Sequence, residues 1–99
     1  MALDNVQIRY LRGLSHALRP TVMIGAKGLT DAVVAELDLA LAHHELVKVH
    51  VAGDDREARA EAAGVLASRT GAEVVQKIGK MICLYRRNPE SPGIELPRR

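Results

Sequence analysis

Tryptophan and phenylalanine are absent from this chain, and Tyr10 and Tyr85 are its only aromatic residues apart from histidine. So few rings argue against base-stacking readers of the RRM or OB type. The one cysteine, Cys83, excludes an internal disulfide framework and fits a reducing compartment. No run approaches the roughly 18 apolar residues that a membrane span requires. Asp4 and Arg9 stand where a signal peptide would carry its apolar stretch. The expectation is a soluble, cytoplasmic protein without a membrane partner. At 99 residues there is room for one domain, burying roughly 60–70% of its unfolded surface.

Chemical constellations are equally scarce. Neither a GxxxxGK[ST] loop nor a GxGxxG fingerprint occurs, so no nucleotide-hydrolysing site and no cofactor is expected. None of Ser15, Ser68 and Ser91 lies on a nucleophile elbow. Cys83 sits inside an apolar run and reads as core rather than nucleophile. His43 and His44 are neighbours on a helix end, about 100° apart, which suits a helix terminus better than a shared metal ion. No catalytic residue, metal site or small-molecule substrate is expected.

What the chain does have is segregated charge. Net charge is +2 overall, but residues 1–30 carry +3, residues 31–76 carry −5 and residues 77–99 carry +4. Such blocks fit a basic face turned to a polyanion and an acidic face left in solvent, or equally a chance clumping of charge.

The periodicity predicts a helix over 6–19, with Leu11, Leu14 and Leu18 on one side. Arg9, Arg12, His16 and Arg19 share an arc of about 80° on the other. Pro20 is expected to end it. A short strand follows over 21–24, then the loop Gly25-Ala26-Lys27-Gly28-Leu29-Thr30, with Thr30 as N-cap and Leu29 stapled against Val34. The second helix buries Val33, Val34, Leu37, Ala40 and Leu41. A strand over 46–51 turns Val47, Val49 and Val51 to one face. Asp54 with Glu57 resembles a capping box for a third helix reaching Thr70 and stopped by Gly71. Its apolar side is read as Ala58, Ala62, Val65 and Leu66. Strands over 73–78 and 81–86 meet at a Gly79-Lys80 turn, the second of them apolar enough for burial on both faces. The prediction is an α/β two-layer sandwich in α-β-α-β-α-β-β order around a four-stranded mixed sheet. The domain is expected to span 1–88, followed by a proline-broken, flexible tail over 89–99.

The strand–GxxG–helix unit is the sharpest feature. Two glycines allow close backbone approach, the helix start supplies N–H groups and a positive dipole end, and Lys27 adds a full charge. The same pattern also serves simply to close a strand-to-helix turn. Arg9, Arg12, Arg19, Lys77 and Lys80 are the basic residues that could flank such a site, or equally a solvated surface.

Four stretches together resemble the CRM-domain family in its stand-alone bacterial YhbY-like form. They are Tyr10-Leu11-Arg12-Gly13-Leu14 with His16, Ile24 to Thr30, His44-Glu45-Leu46-Val47-Lys48-Val49, and Val75 to Lys80 followed by Leu84-Tyr85-Arg86. They occur in the family's order and cover about residues 6–87. The resemblance implies a fold like the C-terminal domain of the third bacterial translation initiation factor. It also implies RNA as ligand, association with precursors of the large ribosomal subunit, and RNA contact through Gly25, Ala26, Lys27 and Gly28. Ala26 stands where the family usually has a polar or basic residue, and Ile8 lies in a segment that is commonly more basic. A protein-interaction adaptor using the acidic middle segment and a double-stranded DNA binder are the competing expectations.

Overall fold

The computed structural model describes residues 3–25, 28–53, 55–90 and 93–97. Helix α1, Asn5–Ser15, starts at a reciprocal cap. The Asp4 carboxylate accepts from Gln7 N at 2.9 Å, and the Gln7 side chain accepts from Asp4 N at 3.2 Å. The helix ends four residues before the expected Arg19. Short i→i+3 bonds, Ala17 N to Leu14 O and Leu18 N to Ser15 O, wind it off well ahead of Pro20. Ser15 is buried there, its hydroxyl meeting Arg12 O at 2.7 Å and the Gln76 side chain at 2.9 Å.

Strand β1, Val22–Ile24, leads through the glycine loop to α2, Asp31–His44. Thr30 caps α2 as expected, accepting from Val33 N at 3.2 Å. Val34, Leu37 and Leu41 are buried, and Leu29, Val33 and Ala40 pack on the same cluster. Strand β2, Leu46–Val51, is followed by α3, Arg56–Thr70, which Gly71 closes in the left-handed conformation at φ 72°. Its N-cap is Asp55, not Asp54, which lies outside the described residues; Asp55 Oδ1 accepts from Glu57 N and Ala58 N. Strands β3, Glu73–Ile78, and β4, Met81–Tyr85, complete the sheet.

The strand order is β1-β2-β4-β3, with β1 and β2 parallel and β4 antiparallel to both its neighbours. Three strands therefore run one way, and their carboxyl ends share one end of the sheet with the β3–β4 turn. Alternation along β4 divides the interior. Ile82 and Leu84 join the large cluster under α2 and α3, while Cys83 and Tyr85 face Leu11 of α1 on the opposite side. The expected α/β order and four-stranded mixed sheet are present, and α1 adds partial cover to the second face. A bulge at Val75 turns both Val75 and Gln76 toward α1.

Helix α3 buries only part of the side expected of it, Leu66 but neither Ala58 nor Val65. Ala63 and Leu66 enter the core with Ala67 beside them, whereas Ala58 and Val65 are exposed. The helix is apolar on two sides, and periodicity cannot choose between them.

The proline-broken tail is expected to be flexible, yet residues 93–97 lie on the α1 face. Ile94 and Leu96 pack against the Leu11 cluster. Buried Glu45 accepts from Asn88 N, Gly93 N and Ile94 N at 2.6–2.7 Å, and Gln7 Nε2 reaches Pro97 O.

Candidate nucleic-acid interface

The glycine loop sits at the carboxyl end of β1. Gly28 donates its N–H to Gly25 O at 3.0 Å, closing a four-residue turn, and has φ 73°, a conformation that favours glycine. Gly25 is different. Its φ lies outside the left-handed range, and a Cβ placed on it would meet nothing within 4 Å. The fold needs glycine at 28; at 25 the missing side chain leaves space that opens outward.

The turn is anchored to the rest of this end by backbone bonds. Ala52 N donates to Ile24 O at 2.9 Å, and Val51 N donates to Lys80 O at 2.8 Å. The β3–β4 turn thus lies two strands from Gly25, about 10 Å away at ordinary strand spacing. Lys77 is exposed on β3 just before that turn, opposite Ile82. Ala26 and Lys27, the middle of the motif, lie outside the described residues.

Not every donor at the start of α2 is open to a ligand. Thr30 takes Val33 N, and Asp31 places a carboxylate in the first turn, held at 3.1 Å by Arg69. That acid reduces the positive field at the helix start.

The arginines of the first segment do not join the loop. Arg12 Nε donates to Val75 O at 2.8 Å, tying α1 to the β3 bulge on the far face of the sheet. Arg9 is exposed one turn earlier, toward the end marked by Leu3 N bonding to Glu73. Arg19, beyond the helix, lines a recess with Lys48, Leu14 and Leu18. Lys48 was not singled out from sequence. Strand alternation around Val47 and Val49 already placed it on the opposite face.

Between the loop and α3 runs a cleft of about 530 Å³ floored by Ile24, Val51, Ala58, Ala62 and Val65, with Asp55, Arg59 and Glu61 at its rim. This is where the unburied apolar side of α3 points. Among the described residues no three His, Cys, Asp or Glu side chains are grouped to hold a metal, and no helix is long and apolar enough to cross a membrane.

The family profile of the CRS1 / YhbY (CRM) domain matches residues 3–86. The chain belongs to the CRM-domain family. An RNA-binding protein of Haemophilus influenzae is 46% identical to this CRM protein over 97 residues, covering 98% of this chain and 97% of that one. A probable RNA-binding protein of Bacillus subtilis is 35% identical over 95 residues, covering 96% and 99%. The solution structure of a Staphylococcus aureus protein matches with a TM-score of 0.85 at 40% identity, over 97% of this chain and 100% of that one. The likeness in these relatives thus runs past Arg87, through most of the tail.

Proposed function

We propose that this CRM protein is a non-catalytic RNA-binding protein that grips the RNA backbone through its GxxG loop. Its target in this reading is ribosomal RNA in precursors of the large subunit, in the cytoplasm. The observation that carries the grip is Gly25, glycine where neither φ nor packing asks for it, beside a closed turn and opposite the Lys77–Lys80 turn. A backbone free of side-chain cover is what close approach by a phosphate requires. The names of the relatives support RNA as ligand, and the family resemblance supports the ribosomal target.

The test keeps both glycines and replaces the residues between them. Ala26→Asp with Lys27→Asp leaves the turn able to form and puts two like charges where phosphate must sit. Binding to a large-subunit RNA fragment is expected to be nearly abolished. Stability is expected to hold or rise slightly, because acids are favoured near a helix start. Wild-type affinity in a folded double variant would reduce the loop to a connection. Duplex DNA as a parallel probe separates the DNA-binding alternative. Crosslinking in cells, with sequencing of bound RNA, is expected to enrich large-subunit precursor RNA.

A further inference from the structure

The α1 face of the sheet is covered only in part. Leu11, Leu18, Ile94 and Leu96 close over Leu46, Val75, Cys83 and Tyr85. Toward the loop end one further row remains, with one residue from each strand. Met23 is opposite His50, His50 opposite Met81, and Met81 opposite Ile78. None of the four belongs to either core cluster. Met23 is 56% and Ile78 57% exposed, while His50 and Met81 are half-buried.

The row adjoins the proposed grip on both sides. Met23 is two residues before Gly25, and Ile78 and Met81 bracket the Gly79-Lys80 turn. Its charged surroundings on this face are basic. Lys48 is in the next row, Arg19 shares a recess with Lys48, and Arg12 is fixed at the β3 bulge. The acids of this face are Asp4, Glu45 and Glu73, toward the opposite end of the strands where Glu45 is engaged with the tail, and Glu95 on the tail itself. Four strands at about 4.8 Å spacing make the row about 14 Å across, room for about two bases.

We propose that the Met23–His50–Met81–Ile78 row is a platform on which unpaired bases of single-stranded RNA lie, next to the phosphates held by the GxxG loop. The proposal rests on the RNA-binding reading above. Thioethers make favourable contacts with flat aromatic rings, and imidazole is itself a stacking surface. A row of two methionines, a histidine and an isoleucine therefore supplies ring contacts to a protein that has no tryptophan or phenylalanine. It reads no base edge, so the platform accepts any base.

The test compares a short single-stranded RNA with an abasic strand of the same length, for wild type and for Met23→Thr with Ile78→Thr. Both sites are more than half exposed and threonine suits a strand, so the fold is expected to persist. Wild type is expected to prefer the base-bearing strand by about tenfold, and the double variant to lose about five- to tenfold on that strand alone. The slope of log K against log salt is expected to stay the same, because no phosphate contact is removed. Ile78→Tyr is expected to tighten binding to the base-bearing strand only. Wild-type discrimination in the double variant, or an equal loss on the abasic strand, would overturn the platform. So would a concentration-dependent dimer of wild type that the double variant abolishes, since a second copy would then occupy the row. If Ala26→Asp with Lys27→Asp abolishes binding to every probe while the row variant behaves as wild type, the platform falls and the loop grip stands. If wild type binds neither strand, both fall.

Discussion

Glu45 adopts φ 63° with ψ −45°, a sparsely populated backbone conformation outside the left-handed helical basin that costs a non-glycine residue about 1–3 kcal/mol. Its carboxylate is buried and accepts three backbone N–H groups from residues 88, 93 and 94, which compensates for the strain. Glu45→Ala keeps the strained backbone and removes all three acceptors, so urea unfolding is expected to show a loss of about 2–4 kcal/mol. A negligible change would mean that apolar contacts alone hold the tail. Tyr85 presents the opposite case: its hydroxyl is buried with no hydrogen-bond partner among the described residues. Tyr85→Phe is therefore expected to be neutral or stabilising by about 1 kcal/mol at pH 7. Burial, and then the Glu45 carboxylate, raise the Tyr85 pKa above its ordinary 10.0. The folded protein holds that proton after the unfolded chain has lost it, so stability falls as pH rises through and above about 10. Wild type is expected to lose stability there faster than Tyr85→Phe, as read by unfolding at pH 8 and pH 11. Parallel loss in the two proteins would assign the decline to other groups. Neither residue's role was legible in the sequence. A glutamate after a helix reads as exposed, because the groups that bury it lie more than forty residues away.

Local signals told most at the level of elements. Thr30, Gly71 and the apolar run of β4 marked their elements because each acts through its own neighbours. Signals failed where a distant contact decides. The long sequence-predicted helix over 6–19 stops at Ser15, at a buried side chain meeting Gln76 from β3. The apolar sides of α3 could not be ranked, since its alanines fit a core or a cleft equally. Of the candidate site, the glycine loop was legible as a motif. Its convergence with Lys77 and Lys80 depends on strand order, which spacing does not encode. The prolines of the tail suggest an unpacked segment, whereas Ile94 and Leu96 rest on the Leu11 cluster through contacts that no local signal announces. Truncation after Asn88 removes those two partly buried side chains and two of Glu45's donors. The expected destabilisation is about 2–4 kcal/mol. At this chain length that lowers the thermal midpoint by about 10–20 °C. A midpoint that does not move would restore the reading of a dispensable tail.

Across the whole molecule, charge is uneven over the two faces of the sheet and along them. Acids concentrate on the helix layer, where Asp31 pairs with Arg69 and Asp38 with Arg86, while Lys48, Arg12 and Arg19 lie on the α1 side. Lys77 and Lys80 stand at the loop end between them. If the proposed grip holds a polyanion at the loop end, Lys48, Arg12 and Arg19 favour a path over the α1 side of the sheet. If about four to six phosphates are neutralised, log K is expected to fall against log salt with a slope of about −3 to −5. Position then separates the basic residues. Lys27→Gln removes a cation from the loop and is expected to flatten the slope by about 1. Arg86 bonds Asp38 and Thr70 O beyond the far end of β4. Arg86→Gln is expected to lower stability and leave the slope unchanged. Titrations of both variants at several salt concentrations, each checked for folding, read the two effects separately. An affinity indifferent to salt would remove phosphate contact as the basis of binding. A slope that Arg86→Gln flattens as much as Lys27→Gln would move the RNA path off the loop end, because that arginine can contact phosphate only if the strand crosses the helix layer.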